Sequence, residues 1–162
     1  MGDRKSADDG FVALYNRHVN TVYRVCYTYM RNAADTEDAV QNVFIKLLAK
    51  PMSFESEEHE KAWLIRVATN HCKDVLKSAW MQRSDFENIQ EPAVFDKGHD
   101  ETLEEVLKLP ENQRICICLY YYEGYSTAEI AEIIKRPHST VRNYLSDARK
   151  QLRDRLAENF DE

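Results

Sequence analysis

Gly124 to Arg155 reads GYSTAEIAEIIKRPHSTVRNYLSDARKQLRDR. Ser126 can cap a helix whose third residue, Glu129, completes a capping box. Ala128, Ile130, Ala131, Ile133 and Ile134 give that short helix its packing side. After the break at Lys135-Arg136-Pro137, a second helix starts near Pro137 and runs to about Leu156. Val141, Leu145, Ala148, Leu152 and Leu156 form its apolar stripe. Two short amphipathic helices with a tight break, the second rich in Arg and Lys, predict a helix-turn-helix and make double-stranded DNA the leading partner. In that motif the N-terminal side chains of the second helix meet base edges. His138, Ser139, Thr140, Arg142 and Asn143 are therefore the candidate readers, with Arg149 and Lys150 further along toward the phosphates. Arg suits guanine and Asn suits adenine, each through two hydrogen bonds.

Upstream, a helix over about 111–123 turns Ile115, Cys118, Leu119 and Tyr122 inward, and Gly124 closes it as a C′ residue. A shorter helix over Thr102 to Leu109 stops at Pro110. Further back, Phe11, Leu14, Tyr15, His18, Val22, Cys26 and Tyr29 keep a helical period from about Phe11 to Met30. Asp35 can cap a second helix carrying Ala39, Val40, Val43, Phe44, Leu47 and Leu48 and ending before Pro51. The stretch 51–59 reads as a polar loop around one exposed aromatic, Phe54. A third helix follows over about Glu60 to Trp80, with Trp63, Leu64, Val67, Ala68, His71, Val75 and Leu76 inward. Arg66, Asn70, Lys73 and Lys77 occupy its opposite face. Aromatics beside cations suit single-stranded DNA, whose bases stack on rings while its phosphates meet the charges.

The 162 residues divide into an all-α pair of small domains: three to four helices over 8–80, an acidic linker over 81–100 and a helix-turn-helix domain over 101–158. With only 4 Gly and 4 Pro, a many-stranded sheet has too few turn points. The formal charge of -6 argues against a nucleic-acid binder until its distribution is read. Lys61, Arg66, Lys73, Lys77 and Arg83 face Asp74 alone, and Lys135 to Arg155 is also strongly basic. The acid lies elsewhere, mainly in Asp35 to Asp38, Glu55 to Glu60 and Asp85 to Glu105. No GxGxxG, GxxxxGK or GxSxG occurs and no CxxC pair exists, so neither enzyme, cofactor nor metal is expected, and the four cysteines read as reduced thiols. No apolar run is long enough for a membrane span and the N-terminus lacks a signal-peptide core, which places the expected site of action in the cytoplasm.

Four motifs, in order and spacing, resemble the extracytoplasmic-function sigma factors, bacterial transcription-initiation subunits. Asp35 to Phe44, DTEDAVQNVF, resembles the family's core-polymerase-binding helix (DAEDLVQEVF). Lys61 to Asn70, KAWLIRVATN, followed by Asp74, is similar to RAWLxRIAxN…D. Leu109 to Arg114 resembles LPxxQR, and Tyr125 to Ala131 resembles the LSYAEIA opening of the region 4 helix-turn-helix. The resemblance implies a region 2 domain followed by a region 4 domain. It implies that Asp38, Gln41, Asn42, Phe44 and Leu47 grip core RNA polymerase. It implies that the loop around Phe54 catches a base flipped from the minus-ten element, with Lys61, Trp63, Arg66, Asn70 and Lys73 holding the opening strand. The last helix would read the minus-thirty-five element, the acidic linker would thread toward the RNA path, and an anti-sigma factor would be a partner. The chain departs from the pattern at Asn42, where Glu is usual, at Lys135-Arg136-Pro137 in place of Gly-Val-Ser, and at Tyr144 and Asp147 in place of Arg. Two other readings of the residues remain: a response-regulator-like factor that binds duplex DNA without polymerase, and a helical adaptor for acidic proteins.

Overall fold

The computed structural model describes residues 2–50, 52–82 and 101–160. Among these every regular element is helical. The chain divides into two units, Met1–Gln82 and Arg83–Glu162.

In the first unit, α1 (Gly2–Met30), α2 (Ala33–Ala49) and α3 (Glu57–Gln82) all pack on one another. Their shared core holds Val22, Val25, Cys26 and Tyr29 from α1, Val43 and Phe44 from α2, and Leu64, Ile65, Ala68 and Cys72 from α3. Burial of each large apolar side chain contributes about 1.5–3 kcal/mol. The turn between α1 and α2 is made by Arg31 in the left-handed region (φ 63) and by Asn32. Asn32, not Asp35, is the N-cap: its Oδ1 accepts the Asp35 N–H at 2.8 Å. Its Nδ2 donates to Asp35 Oδ2 at 2.8 Å. An Asp at the third helical position fits this reciprocal arrangement and the positive end of the helix dipole.

α3 begins earlier than its apolar pattern predicts, and its inward face is rotated from the expected one, though Leu64 and Ala68 are buried as expected. Ile65, Thr69 and Cys72 are buried, Trp63 and His71 are half-buried, and Val75 is exposed. The expected linker over 81–100 lies outside the described residues, save 81 and 82, which continue α3.

In the second unit, α4 (Glu101–Leu107), α5 (Glu111–Ile117) and α6 (Thr127–Ile134) each pack on or beside the long α7 (His138–Phe160). Its core is Leu109, Ile115, Leu119, Ile130, Val141 and Leu145. α5 does not run on as an α-helix. It passes into a π-helical turn, Cys118–Tyr122, in which Glu123 N–H donates to Cys118 O at 3.1 Å. The wider turn shifts the register, and Tyr122, expected inside, is exposed. Gly124 ends it at φ 76. Leu152 and Leu156, expected core, instead line an open apolar groove of about 540 Å³.

Candidate nucleic-acid and partner interfaces

The second helix of the first unit presents two apolar faces. Phe44 and Leu47 are buried, at 4% and 5% exposure, and Phe44 meets the rings of Tyr15 and Phe11 at 4.8 and 6.3 Å. They therefore lie in the core and not on a binding surface. The residues one step further round, Ile45 and Leu48, are 56% and 55% exposed. With Asp38, Gln41 and Asn42, all exposed, they form a continuous face of α2 at helical spacing. This exposed apolar pair, rimmed by polar groups, is the candidate partner surface of the unit.

The loop before α3 is more structured than its composition suggests. Phe54 is half-buried, not free: its ring lies 5.5 Å from His59 and 5.5 Å from Trp63. Ser56 Oγ accepts the His59 N–H at 3.1 Å, capping α3, and His59 Nδ1 accepts the Glu55 N–H at 3.2 Å. One residue on, Glu60 is buried and ties α3 to α1. Its Oε1 accepts from His18 Nε2 at 2.6 Å and from Arg17 Nη2 at 2.9 Å. Beyond this anchor, Arg66, Asn70 and Lys77 are exposed on one side of α3, with Lys73 and Lys61 half-exposed. The Phe54–Trp63 pair thus stands at the head of a basic stripe.

His71 faces α2, where Lys46 Nζ donates to its Nδ1 at 3.3 Å. Burial first and the Lys46 charge second hold the imidazole below its usual pKa, against a smaller opposing effect of Asp74.

In the second unit, the Ser126–Glu129 capping box forms as expected. Ser126 Oγ accepts the Glu129 N–H at 3.2 Å, and Glu129 Oε1 accepts the Ser126 N–H at 3.0 Å. These bonds, the one to the Ser126 backbone first, hold the Glu129 carboxyl below its ordinary range. Lys135 closes α6 in the left-handed region, at φ 55 and ψ 51, so the turn keeps the geometry that Gly would adopt more easily. Pro137 accepts the Val141 N–H at its carbonyl and precedes the first residue of α7, His138. His138 Nε2 and Thr127 Oγ1 lie 2.6 Å apart, joining the starts of the two helices. Ser139, Arg142 and Asn143 are exposed beside His138, and Thr140 is half-buried. Two turns further along α7, Lys150 is exposed but Arg149 is engaged. Arg149 Nε donates to Tyr121 Oη at 2.7 Å, and its guanidinium sits 5.3 Å from the Tyr120 ring. Tyr144 accepts from Asn112 Nδ2 at 3.3 Å, while Asp147 faces solvent.

Sequence reasoning did not single out Ile45, His59, Glu60 or the Tyr120–Tyr121 seat of Arg149, and it expected Leu48, which is exposed, in the apolar stripe of α2. The S-x-x-H spacing, which lets Ser56 cap the N–H of His59 at the helix start, is the signal that would have found His59. Among the described residues no His, Cys, Asp or Glu grouping could hold a metal, and no helix is long and apolar enough to cross a membrane.

A helical unit with an exposed, partly apolar helix face and a basic stripe headed by two aromatics, joined in one chain to a helix-turn-helix unit, has the make-up of a DNA-binding protein. Known proteins make the assignment specific. The Sigma-70 region 2 family matches residues 14–81 and the Sigma-70 region 4 family matches residues 99–152. The chain is 30% identical to the ECF RNA polymerase sigma-E factor of Haemophilus influenzae, over 96% of this chain and 90% of that one. It is 27% identical to the ECF RNA polymerase sigma factor SigW of Bacillus subtilis, over 94% and 92%. In fold it is similar to the sigma factor RpoE from Bartonella quintana, solved in complex with the anti-sigma factor NepR. That match has a TM-score of 0.76 and 21% identity, covering 94% of this chain and 98% of that one. The chain belongs to the ECF family of RNA polymerase sigma factors, proteins that direct promoter recognition with RNA polymerase. A response-regulator-like factor would leave the region 2 match without a role.

Proposed function

We propose that the chain divides initiation between its units. The exposed face of α2, with Asp38, Gln41, Asn42, Ile45 and Leu48, docks on core RNA polymerase. The start of α7, with His138, Ser139, Thr140, Arg142 and Asn143, reads the duplex of the minus-thirty-five element, and Lys150 meets phosphate nearby. Phe54 and Trp63 receive a base flipped from the minus-ten element, while Lys61, Arg66, Asn70 and Lys73 hold the strand it leaves. The observation that carries this reading is the half-buried Phe54–Trp63 pair at the head of the basic α3 stripe. The protein acts by binding alone, in the cytoplasm, and the covalent chemistry is polymerase's. Because the Bartonella RpoE fold was solved with NepR, an anti-sigma protein belongs to the same proposal as a regulatory partner.

The energetics make polymerase essential. Flipping a base out of the stack costs a few kcal/mol, and stacking it on aromatic rings returns about 1–3 kcal/mol. With so narrow a margin, opening depends on polymerase holding the two units at the separation of the two promoter elements. Promoter binding by the free protein is therefore weak and by the holoenzyme strong. Run-off transcription with core polymerase on a pool of random promoters tests the reading. Selection of start sites with a shared pair of upstream elements supports it, and no selection on any template refutes it.

A further inference from the structure

Phe54 can receive a base only if its own place is fixed. Phe54 sits outside any helix, in a segment with little apolar company, so its place must be set by local bonds. His59 supplies them from the first turn of α3. Its backbone N–H is capped by Ser56 Oγ at 3.1 Å, which fixes the helix start. Its ring then turns back: Nδ1 accepts the Glu55 N–H at 3.2 Å, and the ring lies nearly perpendicular to Phe54, at 80° and 5.5 Å between centroids. In an ordinary capping box a Glu or Gln at this position would accept the cap residue's own N–H. Here the imidazole reaches one residue further, to Glu55, which is the residue bonded to Phe54. The next residue, Glu60, is buried against His18 and Arg17 of α1, so the turn that carries His59 is itself anchored to the core.

We propose that His59 is the positioning residue of the strand-capture loop. By accepting the Glu55 N–H while its ring braces Phe54, it fixes the place that an unpaired nucleobase occupies against the Phe54–Trp63 pair. The loop is thereby shaped before DNA arrives, so the protein loses less freedom when a base is captured. This rests on the reading of Phe54 as a base contact given above, and the test separates the two.

The experiment uses full-length protein in holoenzyme with core polymerase, on a promoter obtained from the run-off selection. The probe is a forked fragment of it carrying 2-aminopurine at the unpaired minus-ten position, whose fluorescence reports capture. His59→Ala lowers capture affinity about 3- to 10-fold, the range expected for losing one exposed-side hydrogen bond and a ring contact. His59→Gln, whose side chain at capping-box spacing accepts the Ser56 N–H and not the Glu55 N–H and has no ring for Phe54, keeps the helix start but lowers capture by the same factor of about 3 to 10. Affinity for core polymerase and for a duplex minus-thirty-five fragment stays unchanged in both variants, which a general loss of folding would not allow. If His59→Ala captures like the native protein while Phe54→Ala does not, His59 does not position the loop. If His59→Gln captures like the native protein, or polymerase affinity falls in parallel with capture, His59 only caps the helix and the proposal fails. If Phe54→Ala also captures normally, the base-contact reading itself is wrong.

Discussion

Glu60 offers the sharpest test of how the first unit is held together. Its carboxylate is buried between helices that are far apart in sequence, with side-chain exposures of 10% for Glu60 and 7% for His18. The 2.6 Å contact with His18 is a hydrogen bond to a charged acceptor, a class that contributes about 1.5–3 kcal/mol. The Arg17 contact adds less than about 1 kcal/mol, because that guanidinium is 37% exposed and screened by water. Glu60→Ala therefore lowers the stability of the first unit by about 2–3 kcal/mol, and leaves the His18 ring buried without its acceptor. For a unit of this size each kcal/mol shifts the melting temperature by about 4–8 °C, so the midpoint falls by about 10–20 °C. The assay is direct because the chain has 2 Trp, Trp63 and Trp80, and both lie on α3. Tryptophan emission during thermal or urea unfolding thus follows the first unit. Glu57 is the matched control: it lies 3.8 Å from the same Arg17, but its side chain is 74% exposed. Glu57→Ala should change stability by less than about 0.5 kcal/mol. Equal shifts in the two variants, or a Glu60→Ala midpoint within about 2 °C of the native one, would refute the reasoning.

Other outcomes follow from the same structure. His71 has a folded-state pKa below its usual 6.5, so the folded unit binds fewer protons than the unfolded chain. Its contribution is complete above pH 6.5 and is lost as pH falls through the lowered value, so acidification from about pH 7.5 to 5.5 should destabilise the native unit more than His71→Gln, read by tryptophan emission. Replacing both Ile45 and Leu48 by Asp should weaken polymerase binding at least tenfold, measured by holoenzyme titration, with the unit's melting unchanged. Phe44→Ala should instead cost about 3–5 kcal/mol of folding stability. In the second unit, Lys135→Gly should raise stability by about 0.5–1 kcal/mol by relieving the left-handed turn. Ser126→Ala should lower it by about 1 kcal/mol, both changes being visible as hydrogen-exchange protection in α6.

Where the sequence was readable, local chemistry decided the structure. The Ser126–Glu129 box, Gly124 with its positive φ and the break before His138 all follow from residues within a few positions of one another. Two helical units with a helix-turn-helix at the end of the chain are expected from such signals, and the fold agrees. What could not be read depends on tertiary partners. Periodicity puts Phe44 and Leu47 in the apolar stripe of α2, where they are buried; their polymerase contact is implied by the resemblance alone, and the exposed apolar residues beside them are Ile45 and Leu48, the latter expected in the stripe. The buried Glu60 looks like one more acid in an acidic stretch until His18 is brought to it across 42 positions. The linear sequence gives Phe54 no support, because its companions, His59 and Trp63, become neighbours only once the chain turns into α3. The π-helical turn at Cys118–Tyr122 inserts extra backbone into a tyrosine run whose period is otherwise α-helical, and this turns Tyr122 to solvent and makes a seat for Arg149.

The central claim is that closed-duplex binding and strand capture belong to different units of one chain. It is tested by holoenzymes carrying Arg142→Ala or Phe54→Ala, with promoter affinity measured under conditions that keep the duplex closed and opening then followed by permanganate reactivity of unpaired thymines. Arg142→Ala should weaken closed binding by about 1–3 kcal/mol. Phe54→Ala should leave closed binding unchanged and reduce permanganate reactivity. If both substitutions reduce the two steps in the same proportion, the units do not divide the work.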